Sequence, residues 1–210
     1  MIRNFLFDLG GVIVELTRER CVGAFEKLGL KDAESYFGLY AQNGIFMDVE
    51  DGTIGADEFH AALRALLPAG TTDAQIDGAF NLFLRGIPVH RLETLRRMRR
   101  NGYGIYLLSN TNPIMWDGRL AEFFRAEGLE REDYFDGMVT SFEARAAKPD
   151  RRIFDILVER TGIKPEETLF FDDSAANTAA AAALGFRTAT VAPGTEFIDY
   201  LPEECRNAVR

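Results

Sequence analysis

The sequence predicts an α/β protein: a parallel β-sheet sandwiched by helices, with a helical subdomain inserted after the first strand. Three observations predict it. Short apolar runs rich in β-branched and aromatic residues alternate with helical stretches, a pattern that calls for parallel strands joined by crossover helices. Residues 15–87, straight after the first run, carry helical stripes and no convincing strand. Polar and charged residues gather directly after the apolar runs, where open parallel sheets bind their ligands.

Composition narrows the class before any element is placed. The chain has 210 residues, 24 Lys plus Arg against 33 Asp plus Glu, a net charge of −9 and 47% hydrophobic residues. Such a chain can offset its ordering entropy by burial, so disorder is not expected. A net-acidic surface lacks the cationic excess that polyanions need, which argues against nucleic acid and anionic membranes as partners. Cys21 and Cys205 fit no metal or disulfide spacing. The opening MIRNFLFDLG is too short an apolar stretch for a signal peptide, and no run reaches the ~18 apolar residues of a membrane helix. A soluble, cytoplasmic setting is expected; the oligomeric state is not legible.

The elements follow in order. Residues 2–7 form the first strand, bounded by Asp8 and two glycines. In the insert, Cys21, Val22, Phe25 and Leu28 make one helical stripe; Phe59, Leu63, Leu66 and Leu67 a second; Ile76, Phe80 and Phe83 a third. Asp51, Gly52, Ile54 and Glu58 fall in calcium-loop positions, but Met47 and Val49 stand where the first carboxylates should be, so an inter-helix turn is expected. The core resumes with a helix over 88–100, a strand over 103–108 and a helix over 113–127 opened by Asn112-Pro113. A weaker strand over Gly137–Thr140, a helix over 150–161 and a strand over 168–171 come next. An alanine-rich helix over 174–184, expected to pack on the sheet and stopped by Gly185, leads to the last strand, 187–191. Residues 1–14 and 88–210 would be the core, and 15–87 the inserted subdomain.

Candidate chemistry sits at the strand ends: Asp8-Leu9-Gly10-Gly11 after the first, Ser109-Asn110-Thr111-Asn112 after the second, and Asp172-Asp173-Ser174 after the fourth. Lys148, one of only four lysines, precedes the 150–161 helix. Each alone could end a strand, cap a helix or sit in solvent. Together they would converge on one edge of one sheet. Adjacent carboxylates repel unless neutralised, so Asp8, Asp172 and Asp173 suggest a hard dication, and magnesium fits oxygen-only ligands. The Ser109 hydroxyl, the Asn110 amide and the Lys148 ammonium suit phosphoryl oxygens. The residues therefore point to magnesium-assisted phosphoryl chemistry with a carboxylate nucleophile and a small phosphorylated substrate.

Four segments, FLFDLGGVIV, IYLLSNTN, AAKPD and LFFDDSAAN, in this order and with a helical insert after the first, resemble the haloacid dehalogenase superfamily. The likeness is strongest to its bacterial sugar-phosphate phosphatases, such as glucose-1-phosphate phosphatases. The resemblance implies a Rossmann-like core under a helical cap, 15–87. It implies Asp8 as the nucleophile that becomes an aspartyl-phosphate, Ser109 and the Asn110 backbone amide as phosphate donors, and Lys148 as the bridge between Asp8 and phosphate. Magnesium would be held by Asp8, Asp173 with Asp172 beside it, and the carbonyl of Gly10.

One position departs from the family pattern. The family's phosphatases usually carry a second aspartate two residues after the nucleophile, as general acid and base; here Gly10 stands there. Losing such a group commonly costs about 10²–10⁴ in rate. Three readings follow: a phosphatase with a good leaving group or a borrowed acid; a 2-haloacid dehalogenase using Asp8, which needs no leaving-group acid; or a non-catalytic phosphate-binding or regulatory relative. The intact acids and lysine favour the phosphatase, with a locally cationic pocket in an anionic protein. Arg18 and Arg20 would be a solvated helix start or greet a second anion, His60 and His90 would be structural or exposed, and Trp116 would pack or form a subunit contact.

Overall fold

The computed structural model describes residues 1–38 and 42–209. Seven strands run through them: β1 (Asn4–Phe7), β2 (Glu15–Leu16), β3 (Leu84–Gly86), β4 (Gly104–Ser109), β5 (Gly137–Thr140), β6 (Thr168–Asp172) and β7 (Arg187–Thr190). Five of them form a parallel sheet in the order β5-β4-β1-β6-β7. The chain adds β4 and β5 on one side of β1, then returns to add β6 and β7 on the other. That reversal opens a crevice at the carboxyl end of β1.

β1 reads as one continuous apolar run because both of its faces are covered. Phe5 and Phe7 share one buried cluster with Leu107, Phe171 and Leu92, Leu95 and Met98 of helix Val89–Arg100. Leu6 joins Leu108, Val139 and Phe170 beneath Ile153, Phe154 and Leu157 of helix Arg151–Thr161. Phe7 lies level with both Leu107 and Phe171, so Asp8 and Asp172 emerge side by side. Helix starts and stops obey local chemistry: Asn112 Oδ1 accepts the Met115 N–H at 3.0 Å, and Gly185, at φ 94°, closes helix Ala175–Ala183. Of the alanine run only Ala181 is fully buried against the sheet, while Ala179, Ala182 and Ala183 are exposed.

Helices Arg18–Leu28, Ile45–Glu50, Ala56–Leu66 and Asp73–Asn81 fill the insert. Phe25, Phe37, Phe46, Phe59 and Phe80 give it its own core, with neighbouring ring centroids between 4.6 and 6.3 Å apart. The expectation of no strand over 15–87 is corrected here. β2 pairs antiparallel with β3, Leu16 opposite Leu84, and the Thr17 N–H donates to Phe83 O at 2.7 Å, clasping the two ends of the insert together. A two-residue strand with a bulge has no alternation to read.

A second correction concerns residues 113–127, which are not one helix. Gly118, at φ −91° and ψ −112°, interrupts a π-helical turn over Trp116–Leu120. Arg131 Nη1 donates to Trp116 O at 2.9 Å at the start of this turn, and its guanidinium stacks 4.0 Å from the indole centroid. Trp116 is thus buried as packing.

Other residues singled out by sequence have structural partners. The Arg18 Nε–H donates to Phe37 O at 2.7 Å within the insert, and Arg20 is exposed. His60 is buried 2.6 Å from Asp77, and the exposed His90 lies 3.1 Å from Glu196. Asp51 Oδ1 accepts the Thr53 N–H, as an inter-helix turn requires. Both cysteines are free and buried. Among the described residues no helix is long and apolar enough to cross a membrane.

Candidate active site

Lys148 is the centre of the crevice. Its side chain is 1% exposed, and its three protons have three acceptors: Asp8 Oδ1 at 2.7 Å, Asp172 Oδ2 at 2.7 Å and Leu108 O at 2.9 Å. An ammonium has no further donor to offer, so its position is fixed. Asn110 fixes the backbone behind it. Asn110 Oδ1 accepts the Lys148 N–H at 2.8 Å, and Asn110 Nδ2 donates to Lys148 O at 2.9 Å. The asparagine side chain therefore locks the loop after β4 to the lysine, which leaves its own backbone amide for a ligand.

The two acids after β6 divide their work. Asp172 is fully buried and saturated: Oδ1 accepts from Ser174 N at 2.8 Å and Asn177 Nδ2 at 3.0 Å, and Oδ2 accepts from Lys148. It lies beneath the cavity rather than in it. Asp173 is half-buried and lines the cavity. Gly11 makes room for it: at φ +71°, any Cβ there would run into the Asp173 carboxylate. Neither acid caps the following helix, since Ser174 occupies the cap position without a side-chain hydrogen bond.

Asp8, Gly10, Ser109, Asn110, Lys148 and Asp173 line one cavity of about 90 Å³. Every site residue expected from sequence is there except Asp172. The Ser109 hydroxyl has only a 3.3 Å contact to the next carbonyl, leaving it available to an incoming oxygen. At Gly10 an added Cβ would stand 3.0 Å from Leu16 Cδ1 of β2, a flexible and partly exposed end. Three participants were not foreseen. Asn177 holds Asp172, and its only signal is its place in the last quoted segment. Gln42 and Glu50 reach the cavity from the insert and carry no local sequence signal.

Burial pushes the Asp8 carboxyl up to about 8, opposed by Lys148 and assisted by Asp172 and Asp173. Burial and Asp172 likewise push Asp173 up to about 6. For Lys148, burial works against the charge, but Asp172 and Asp8 outweigh it and hold the ammonium above its usual range. The expected cationic pocket is therefore absent without a further cation: one ammonium faces three carboxylates. Atoms of Asp8, Asp172 and Asp173 lie within 4.8 Å of one another; with Asp172 engaged by Lys148, Ser174 and Asn177, the Asp8 and Asp173 carboxylates are the oxygen ligands left for a hard dication. Burial also pushes Glu50 up to about 7, so three acids in the folded chain hold protons that the unfolded chain has released from about pH 4 upward. The sign is then fixed: metal-free stability falls as pH rises through the window up to about 8. Magnesium should raise the unfolding temperature more at about pH 8 than at about pH 5, because it must displace the protons on Asp8 and Asp173. Thermal melts with and without magnesium at both pH values test this; an equal shift at both would contradict the site.

The fold and the carboxylate-lysine cluster define an α/β protein built to handle an anion and a dication at the carboxyl end of its central strand. Residues 2–185 match the haloacid dehalogenase-like hydrolase family, and the chain belongs to it. It is 38% identical over 188 residues to the D-ribitol-5-phosphate phosphatase of Bacteroides thetaiotaomicron, covering 90% of this chain and 91% of that one. A haloacid dehalogenase family enzyme from the same organism, crystallised as wild type with magnesium and inorganic phosphate, superposes with a TM-score of 0.89 at 40% identity, covering 96% of this chain and all of that one. A family hydrolase from Porphyromonas gingivalis superposes at 0.87 with 35% identity, covering 95% of each chain.

Proposed function

We propose that this hydrolase is a magnesium-dependent phosphatase of a small polyol or sugar phosphate, working through an aspartyl-phosphate on Asp8. The Lys148 bridge carries the proposal: a buried ammonium 2.7 Å from Asp8 Oδ1 opposes the effect of burial on that carboxyl and holds it in a cavity that Ser109 and Asn110 also line, where a bound dication would complete its ionisation. Asp8 attacks phosphorus while the Ser109 hydroxyl and the Asn110 backbone N–H take phosphoryl oxygens and the Lys148 ammonium, its protons already engaged, supplies positive charge beside them. Magnesium, held by Asp8, Asp173 and the Gly10 carbonyl, supplies positive charge against those oxygens when bound. Asp172 positions Lys148 from below.

In this reading residues 15–87 are the cap over a core of 1–14 and 88–210. Leu16, Phe83, Leu84, Met115 and Leu120 line the cavity beside the polar groups, an apolar rim that keeps water from the phosphoryl group. Gln42, buried, presents an Oε1 with no hydrogen-bond donor among the described residues, which suits a hydroxyl on the leaving group. The similarity to a D-ribitol-5-phosphate phosphatase supports a polyol phosphate. Hydrolysis of D-ribitol 5-phosphate and of p-nitrophenyl phosphate, each with magnesium or with a chelator, tests the reading. Turnover is expected only with magnesium. Metal-independent turnover, or chloride release from 2-chloropropionate with no phosphatase activity, would overturn it.

A further inference from the structure

A primary polyol ester departs as a poor leaving group, and Gly10 offers nothing to protonate it. We infer that Glu50, reaching in from the insert, is the general acid and base of this site. The inference rests on the phosphatase reading and names the group that reading leaves unassigned. The cavity is lined by three carboxylates, Asp8, Glu50 and Asp173. Asp8 is held by Lys148, and Asp173 belongs with the dication. Glu50 is 7% exposed, yet among the described residues its carboxyl has no hydrogen bond or ion pair. Its oxygens are not sealed off but keep contact with open space at the cavity, so the carboxyl is available to a ligand there.

Its placement is fixed as a catalytic group requires. Glu50 ends helix Ile45–Glu50, which Phe46 and Val49 bury in the aromatic core of the insert. The Ser141 hydroxyl donates to Glu50 O at 2.5 Å and accepts the Thr111 N–H at 3.0 Å. Glu50 is thereby tied through one serine to the loop that carries Ser109 and Asn110. The turn just beyond it lies flat on the core: a Cβ on Gly52 would collide with Phe142 O. The charged groups around the Glu50 carboxyl are Lys148, Asp51 and, across the cavity, Asp8 and Asp173. Burial, the largest influence, raises it to about 7, where both of its forms are populated at neutral pH.

In the first step Asp8 forms a bond to phosphorus and the ester P–O bond breaks. Its electron pair goes to the leaving oxygen, which takes the Glu50 proton. In the second step the Glu50 carboxylate removes a proton from water, whose oxygen bonds to phosphorus as the bond to Asp8 breaks. One water is consumed, inorganic phosphate leaves, and both carboxyl groups return to their starting state.

Wild-type turnover of D-ribitol 5-phosphate tests the phosphatase reading by itself; Glu50→Gln then tests the role. The amide keeps the shape and can still hydrogen-bond a ligand but transfers no proton. With D-ribitol 5-phosphate, kcat should fall about 100-fold or more at nearly unchanged KM. With p-nitrophenyl phosphate, whose leaving group needs no proton, the first step should survive. The variant should then release a burst of nitrophenolate equal to the enzyme, followed by slow turnover as the phosphoenzyme waits for its base. Glu50→Asp should recover part of the rate on both substrates. A Glu50→Gln enzyme with wild-type kcat, one raised only in KM, or one slowed equally on both substrates without a burst would overturn the inference.

Discussion

Replacing Asp8 with asparagine is expected to stop phosphate release, by on the order of 10⁴-fold or more, while the fold becomes no less stable. The amide is not a nucleophile, so no phosphoenzyme can form on it. Acid-quenched wild-type enzyme should carry a phosphoryl group on the peptide containing Asp8, and the variant should carry none. The stability half of the expectation comes from the charge balance. Asp8 shares a buried space with Asp172 and Asp173, and burial has raised its carboxyl to about 8. Its ionised form is therefore disfavoured in the metal-free protein, and removing the charge relieves that. Lys148 keeps Asp172 and the Leu108 carbonyl as acceptors. The variant should melt at or above the wild-type temperature without magnesium and gain less from magnesium. An inactive variant that also melts lower would attribute the loss to folding; one retaining near-full activity would end the aspartyl-phosphate reading.

The five-stranded sheet was legible because both its faces are covered, so β1, β4 and β6 each read as unbroken apolar runs with their polar residues at one end. That end lines the cavity, and this rule alone points to Asp8, Gly10, Ser109, Asn110 and Asp173 there. What escaped was non-local. Asn110 was expected for its backbone amide, but its side chain also locks to Lys148, thirty-eight residues away in sequence. Asp172 resembled a second metal acid; its saturation by Ser174, Asn177 and Lys148 depends on packing that no spacing discloses. Glu50 and Gln42 come from the insert, where the readable signal is aromatic periodicity and the polar residues facing the core leave no pattern. β2 and β3 are too short for alternation, and the break at Gly118 sits beside a contact from Arg131 to a carbonyl fifteen residues earlier, which spacing does not disclose.

Losing Lys148 should be more damaging to the molecule than losing Asp8, although both abolish turnover. Lys148→Met removes three hydrogen bonds at once and leaves two carboxylates facing each other in a buried space. Removing one partner of a buried ion pair typically costs about 3–5 kcal/mol. A dication would relieve Asp8 only in part, and Asp172, beneath the cavity floor, would stay uncompensated. The expected result is a melting temperature several degrees lower, with activity reduced at least about 10³-fold, since the nucleophile loses its orientation and the phosphoryl group loses a neighbouring positive charge. Asp172→Asn in the same background should restore much of the stability and none of the activity. The neutral amide can still accept from Ser174 and no longer needs an ammonium. That double variant separates the two roles of the lysine, one as a counter-charge to Asp172 and one as the handle on Asp8. If Asp172→Asn fails to stabilise Lys148→Met, the buried pair is not what holds the floor of the crevice together, and the assignment of Asp172 to the lysine rather than to the metal falls with it.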